Sequence, residues 1–161
     1  MLSSLDPSRK IATWSDAKRW RSARKGSVAF TNGVFDLIHP GHIDILTAAR
    51  AQADALIVGL NSDDSVRRLK GPTRPVRSAT ERAFVVAALE AVDLVVIFSE
   101  DTPLELVNTL KPDVIVKGGD YTEATIVGAE EVKGWGGKVV VVPLTPGQST
   151  TAIIGKLSEE R

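Results

Sequence analysis

The sequence predicts one α/β domain with a doubly wound parallel sheet of five strands and helices on both of its faces. Short apolar runs rich in Val and Ile alternate with segments of helical pattern, and this order implies right-handed crossovers between parallel strands. The run VVVV at 139–142 lacks polar alternation, which indicates a strand covered on both faces. Because 161 residues suit one domain, we expect a single domain over 1–161.

Each predicted strand is a short apolar run bounded by polar residues or glycine. The strands are expected at Ser27–Thr31, Ala55–Leu60, Leu94–Phe98, Val114–Lys117 and Lys138–Leu144. The helices that alternate with them are expected at Gly41–Ala53, Asp63–Leu69, Ala79–Leu89, Pro103–Leu110, Ile126–Trp135 and Thr150–Leu157. Ser78 and Glu81 have the spacing of a capping box, which supports a helix start at Ala79.

The first 26 residues are rich in Arg and Lys, a composition that also suits an organelle transit peptide. Trp14, Ala17 and Trp20 nevertheless recur at helical spacing, and Ser15 stands where an N-cap residue would stand. We therefore predict a helix at 15–24 that packs on the domain.

The composition excludes several classes of function. Twenty basic and twenty acidic residues give no net charge, which argues against nucleic-acid binding through a global basic field. The absence of cysteine excludes disulfides, zinc fingers, iron–sulfur clusters and thiol nucleophiles, and it fits a reducing cytoplasm. No stretch approaches the roughly 20 apolar residues of a membrane helix. We expect a cytoplasmic protein with neither a membrane nor a nucleic acid as partner.

Polar or glycine-rich segments follow four of the five predicted strands. Because ligands bind beyond the carboxyl ends of the strands in an open parallel sheet, we expect these segments to converge on one crevice. The segments are Asn32–His42, Asn61–Asp63 with the loop Lys70–Arg77, Lys117–Tyr121 and Gly147–Thr151.

The two histidines of the chain both fall in the segment His39-Pro40-Gly41-His42. Pro40 suits the first position of a helix, which places His42 in its first turn and both imidazoles on one side. Gly41 leaves room for a phosphate at a helix end that favours anions. In the alternative interpretation one histidine caps the helix and the other packs in the core. Direct metal ligation, with Asp36 or Asp120 as a further ligand, is a second alternative.

Basic residues near the other strand ends are candidates for phosphate binding. Lys70 and Arg74, and less strongly Arg77, form a possible phosphate clamp in a loop shaped by Gly and Pro, although exposed loop cations are common. Lys117 precedes two glycines that would let the backbone approach a base or a sugar. The segment 149–151 opens the last helix with three hydroxyl side chains, where Ser149 could also be an ordinary N-cap.

Taken together and in this order, these motifs resemble those of the cytidylyltransferase-like nucleotidyltransferases. The resemblance is strongest to the bacterial D-glycero-β-D-manno-heptose 1-phosphate adenylyltransferases, also called ADP-heptose synthases. It rests on five segments: FTNGVFDLIHPGH at 30–42, LKG at 69–71 with Arg74-Pro75, VKGGDY at 116–121, IVGAEEV at 126–132 and GQSTTAII at 147–154. The resemblance extends from Ile11 to Leu157 and implies a Rossmann-like fold of the HxGH type.

The resemblance implies a reaction and its components. The chain would transfer the adenylyl group of ATP to D-glycero-β-D-manno-heptose 1-phosphate, giving ADP-heptose and pyrophosphate for the heptose of the lipopolysaccharide core. Mg²⁺ would arrive with ATP, with no metal site formed by the protein alone. In many relatives a sugar-kinase domain precedes this domain, and 161 residues leave no room for one. We therefore expect a stand-alone transferase and a separate heptose kinase. Because relatives often form dimers, we also expect a homodimer.

The resemblance also implies roles for individual residues. The catalytic residues would be His39, His42 and Lys70, and the substrate phosphate would be bound by Arg74 and Lys70. The nucleotide-binding residues would be Thr31, Asn32, Gly33, Phe35, Gly41, Lys117, Gly119, Asp120, Ser149, Thr150 and Thr151. Asp36 would be a structural carboxylate that orients the motif.

One departure and three alternatives accompany this interpretation. Glycerol-phosphate cytidylyltransferases carry Arg-Thr-Glu-Gly-Ile before the final Ser/Thr run, whereas 145–148 reads TPGQ here, which weighs against glycerol phosphate as the substrate.

The closest alternative is transfer of a cytidylyl or adenylyl group to another sugar or alcohol phosphate. The others are a metal-dependent phosphohydrolase that uses His39, His42 and Asp36, and a nucleotide sensor without catalysis.

Overall fold

The computed structural model describes residues 4–119 and 121–160, which form a six-stranded parallel sheet flanked by helices. The strands are β1 (Ile11–Ala12), β2 (Val28–Gly33), β3 (Ala55–Asn61), β4 (Leu94–Phe98), β5 (Val114–Gly118) and β6 (Lys138–Val142). The helices are α1 (Trp14–Ala23), α2 (Pro40–Arg50), α3 (Asp63–Lys70), α4 (Ala79–Ala87), α5 (Leu104–Leu110), α6 (Ala129–Gly134) and α7 (Thr150–Glu159). Short 3₁₀ turns occupy Pro7–Lys10 and Glu123–Thr125.

The order of the strands places a switch point beside β2. The sheet reads β1-β4-β3-β2-β5-β6, so the chain builds outward from β2 through β3 to β4 and then returns to the other side of β2. In the pairing of β2, Val28 faces Ala55 of β3 and Ala29 faces Val114 of β5. A crevice is therefore expected at the carboxyl ends of β2 and β5, where the winding direction reverses.

Two apolar clusters, one on each face of the sheet, form the core. One cluster contains Phe30, Phe98 and Leu106, and Trp14 and Trp20 of α1 pack against it. The other contains mostly small and branched side chains from α2, α4 and the sheet, together with Phe35. Every residue of β3 is buried, which explains its unbroken apolar sequence. The predicted fold class is confirmed.

Three sequence predictions need correction. The sheet has six strands because the two-residue β1 pairs with β4, and so short a strand has no periodicity to detect. Helix α1 begins one residue before the predicted 15–24, because Thr13 rather than Ser15 caps it by accepting a hydrogen bond from the Asp16 backbone N–H. The valines at 139–142 contact both clusters but are only half-buried, because β6 is an edge strand.

Several element boundaries also shift by a few residues. The last predicted helix before β6 is shorter than 126–135, because the 3₁₀ turn and Gly128 in a left-handed conformation precede α6. The capping box at the start of α4 is present, with the side chains of Ser78 and Glu81 each accepting a hydrogen bond from the other's backbone N–H group.

Within the described residues, every helix is too short or too polar to span a membrane.

Candidate active site

A cavity of about 580 Å³ lies at the carboxyl ends of the strands that flank the switch point. Twelve of the predicted site residues line it: Asn32, Gly33, Phe35, Asp36, His39, His42, Lys70, Arg74, Lys117, Ser149, Thr150 and Thr151. Thr31 lines a smaller adjoining cavity of about 100 Å³. Gly41, Gly119 and Arg77 lie off the cavity wall, and Asp120 lies outside the described residues.

The two histidines stack at the start of α2. Pro40 occupies the first turn, and His39 is the N-cap residue in an extended conformation. The ring centroids of His39 and His42 are 3.8 Å apart with 23° between the planes, and the Phe35 ring lies 5.2 Å from that of His42. The His39 backbone N–H donates to Nδ1 of His42 at 3.3 Å. The local sequence therefore presents both imidazoles on the cavity wall, as the three-residue spacing predicts.

Burial keeps both imidazoles neutral near pH 7. Burial, followed by the proximity of His39, lowers the pKa of His42 to about 4 from an ordinary value of 6.5. Burial also lowers the pKa of His39. A neutral imidazole has one N–H donor, and Nδ1 of His42 already accepts a hydrogen bond, so its Nε2 carries the proton. His42 is therefore a hydrogen-bond donor to any oxygen that enters the cavity.

Gly41 lies beneath the His39 ring and allows a close approach of two segments. A Cβ atom at this position would stand 3.0 Å from the His39 ring and 3.1 Å from the Cβ of Gln148. The position thus brings the start of α2 against the residues that lead into α7. Its observed contribution is packing, since the residue does not line the cavity.

Asp36 fastens the loop 71–77 to the histidine segment. Its side chain is fully buried and accepts hydrogen bonds from Nε of Arg74 at 2.8 Å and from the backbone N–H groups of Val76 and Arg77 at about 3 Å. Burial alone would raise the pKa of Asp36, but these donors outweigh it and the pKa is lowered. Asp36 therefore ties the loop to the histidine segment. Arg74, whose Nε binds Asp36, also lines the cavity.

The backbone before Asp36 is shaped by two neighbouring residues. Phe35 has a φ of 49°, a left-handed conformation that is uncommon for a residue with a Cβ atom. A Cβ atom at Gly33 would lie 2.9 Å from the Phe35 ring, so only glycine leaves space for that ring. These two features aim Phe35 toward His42 and Asp36 toward the loop.

Lys117 brings a half-buried positive charge to the end of β5. Burial lowers the pKa of its ammonium group, whose Nζ lies 5.5 Å from the centroid of the Tyr121 ring. Lys70, the last residue of α3, contributes an exposed ammonium group on the same cavity. The two lysines and Arg74 bring three basic side chains to the cavity wall, and within the described residues Arg74 is the one that is paired, with Asp36.

The start of α7 forms the wall beside Gly41. Ser149 caps the helix, since its Oγ accepts the Ala152 backbone N–H at 3.0 Å, as the alternative interpretation expects. Thr150 donates its hydroxyl to the Leu37 carbonyl at 3.3 Å, which ties α7 to the histidine segment. The N-terminus of this ten-residue helix therefore opens on the cavity.

The carboxylates that the structure describes on the cavity wall are already engaged. The three donors around Asp36 occupy its oxygens, and Asp101 pairs with Arg68 at 2.7 Å. These contacts do not match the ligand role of Asp36 in a metal-dependent phosphohydrolase, which requires a free carboxylate oxygen.

Asn61 and Tyr121 line the cavity, and both lie in segments expected to converge there, although neither was given a role. The sequence interpretation missed two residues: Asp101, which lines the cavity, and Arg82 of α4, which lies fully buried behind it. A signal for Arg82 exists, because it precedes buried Val86 by four residues and so shares its helical face. From the sequence alone, however, a charged residue next to Glu81 is expected to lie at the protein surface.

Comparisons with known proteins agree with this geometry. The family model described as cytidylyltransferase-like matches residues 30–156. The bifunctional protein HldE of Acidiphilium cryptum is 59% identical over 141 residues, which are 88% of this chain and 29% of that protein. That of Paramagnetospirillum magneticum is 62% identical over 141 residues, 87% of this chain and 28% of that protein. The chain thus spans less than a third of the length of these relatives.

Two solved structures share the fold. The lipopolysaccharide core biosynthesis protein from Thermoplasma volcanium superposes with a TM-score of 0.61 at 27% identity, covering 74% of this chain and 97% of that one. Pantoate-beta-alanine ligase from Francisella tularensis superposes with a TM-score of 0.60 at 16% identity, covering 92% of this chain and 77% of that one. This second similarity is one of fold alone. Since the family model covers most of the sequence, the chain belongs to the cytidylyltransferase-like family.

Proposed function

We propose that the chain transfers the adenylyl group of ATP to D-glycero-β-D-manno-heptose 1-phosphate, giving ADP-heptose and pyrophosphate. The observation that carries the proposal is the stacked pair of neutral imidazoles on a cavity that also holds three cations and a helix N-terminus. The HldE relatives and the lipopolysaccharide core biosynthesis protein of T. volcanium support the choice of sugar phosphate.

The reaction requires no covalent intermediate. A phosphate oxygen of the sugar attacks the α-phosphorus of ATP and forms a new P–O bond, while the bond between the α-phosphorus and the bridging oxygen breaks to release pyrophosphate. Two polyanions must meet, and negative charge must pass to the leaving group. Catalysis therefore depends on positioning and on donors aimed at the developing charge.

The residues of the cavity divide these tasks. His42 donates from Nε2 to an oxygen of the reacting phosphorus, and His39, stacked on it, contacts the triphosphate. Lys70 and Arg74 bind the outer phosphates or the sugar phosphate, and the free backbone N–H groups at the start of α7 bind the leaving pyrophosphate. Lys117, near the end of β5, binds the nucleotide.

Mg²⁺ belongs to this proposal as the companion of ATP. When bound, it would neutralise charge on the triphosphate and keep several of its waters, since the described carboxylates of the cavity are already paired.

The proposal also includes two protein partners. A heptose kinase supplies the acceptor, and a second copy of this chain forms a homodimer with the first. Light scattering of the purified protein tests the dimer.

The deciding experiment measures pyrophosphate release from ATP and from CTP against a panel of sugar 1-phosphates. The proposal expects release with ATP and the heptose 1-phosphate, and with neither alone. Release with CTP or another acceptor would reassign the substrates within the same reaction class. Phosphate release without an acceptor would indicate a hydrolase, and nucleotide binding without pyrophosphate formation would indicate a sensor.

A further inference from the structure

The largest fully buried side chain in the described residues is that of an arginine, Arg82 of α4, which is 1% exposed. Its guanidinium donates to the carbonyl oxygens of Val34 and Asn61 at 2.8 Å and of Arg77 at 3.0 Å. It also pairs with the Asp63 carboxylate at 2.8 Å. Burying a charge is costly unless its donors are satisfied, and here the partners come from four places in the chain.

Two of these contacts join the ends of neighbouring strands. Val34 follows β2 and Asn61 ends β3, so one nitrogen of Arg82 bridges the loop after β2 and the last residue of β3. The Asn61 side chain continues the network by donating to Ser65 at 2.9 Å, and Ser65 donates to the Glu100 carbonyl beyond β4 at 3.1 Å. A single buried polar network therefore spans three strand ends around the cavity.

The other two contacts flank the cationic part of the cavity. Asp63 begins α3, the helix that ends at Lys70, and Arg77 closes the loop that contains Arg74. Arg82 thus holds both ends of the segment 63–77, while Asp36 holds its last part, from Arg74 to Arg77. Because Arg82 also binds Val34, the segment is fixed relative to the loop that leads to the histidines.

We propose that Arg82 is a positioning residue for the adenylyl transfer, an inference that rests on the proposed function. Its guanidinium sets the distance between the histidine pair and the cations at 70 and 74 without touching either substrate. A displacement of about 1 Å between reacting groups costs roughly 100-fold in rate, so a residue behind the cavity has a large effect on turnover. Lysine cannot replace it, because one ammonium group does not reach four separated acceptors.

The test compares Arg82→Lys with the matched control Arg67→Lys, a surface arginine of α3 that pairs with exposed Asp64. We expect Arg82→Lys to lower kcat at least about 30-fold with a smaller change in KM for ATP, and Arg67→Lys to stay within about twofold of wild type. In Arg82→Ala, added methylguanidinium should restore part of kcat. Rescue by the missing group separates positioning from a general loss of stability.

Hydrogen exchange gives a readout that is independent of transfer. The amides of Val76 and Arg77 donate to Asp36, so Arg82→Lys should speed their exchange at least about tenfold more than that of the β3 amides. Uniform acceleration across the domain, or kcat within twofold of wild type, overturns the proposal. Should Arg82 variants fail to fold, Asp63→Asn removes the negative charge that pairs with Arg82 at the half-exposed rim, and it should lower kcat about threefold or more. A wild-type chain without transferase activity refutes the proposed function, whereas the exchange comparison still decides whether Arg82 holds the loop.

Discussion

The His39 backbone N–H donates to Nδ1 of His42, and this 3.3 Å contact determines which nitrogen of the second ring can act as a donor. Since Nδ1 accepts, the proton of the neutral ring is on Nε2. The stacking of the rings at 3.8 Å also disfavours placing a positive charge on both. In the free protein both imidazoles are therefore neutral, and a bound anion would favour their protonated forms.

The depressed pKa of His42 predicts a pH dependence of stability. Between pH 6.5 and about 4 the unfolded chain binds a proton at this residue more readily than the folded chain, so the free energy of unfolding should fall as the pH falls through this window. Urea denaturation of wild type and His42→Asn at several pH values between 7 and 4.5 measures the effect. The variant should show the shallower decline, and equal declines would contradict the pKa assignment.

ATP binding should be accompanied by proton uptake in mildly acidic solution. Negative charge beside an imidazole favours its charged form, so the triphosphate should raise the pKa values of His39 and His42 from their depressed values. Calorimetric titration with ATP at about pH 5.5 in two buffers of different ionisation enthalpy measures the protons taken up. Uptake should decrease in His42→Asn, and its absence in wild type would place the triphosphate away from the imidazoles.

Asp36→Asn should loosen the loop 71–77. The amide keeps one acceptor oxygen but loses the charge opposite Arg74, so we expect the free energy of unfolding to fall by about 2–4 kcal/mol and KM for the substrates to rise. Asp64→Asn is the matched control, because its pair with Arg67 is exposed and should change stability by less than about 0.5 kcal/mol. Equal effects of the two substitutions would deny Asp36 its anchoring role.

Gly41→Ala should separate activity from stability. Alanine favours helix by about 0.5–1 kcal/mol over glycine, but the added Cβ would press on the His39 ring at 3.0 Å and on Gln148 at 3.1 Å. We expect a folded protein whose kcat is reduced at least about tenfold, because the ring must move from its stacked position. Thermal unfolding and pyrophosphate release measure the two properties, and unchanged turnover would show that the ring position is not critical.

The fold followed from local patterns, whereas much of the site depends on contacts between distant residues. Buried strands such as β3 and the turn Pro40–His42 carry their own signals of apolar continuity and helix capping. The bond between Asp36 and the Val76 amide joins residues 40 positions apart, and no local pattern encodes such a contact. The burial of Arg82 depends on distant contacts for the same reason, since its backbone acceptors lie in two loops and at the end of β3, which only the fold brings together.

The edge strands show a second limit of sequence patterns. An apolar run indicates which residues prefer burial, but the neighbours available to cover them are set by strand order. Val139–Val142 are therefore half-buried at one edge, while Ile11–Ala12 form the other edge with only two residues. Both outcomes arise from tertiary context rather than from propensity.

The most direct test of the central claim is the turnover of His42→Asn in the pyrophosphate-release assay with ATP and heptose 1-phosphate. Removing a donor that acts on developing charge should lower kcat about 100- to 1,000-fold, or roughly 2.7–4 kcal/mol, while the variant stays folded and KM for ATP changes less. Turnover within about threefold of wild type in a folded variant would contradict the role given to the stacked imidazoles.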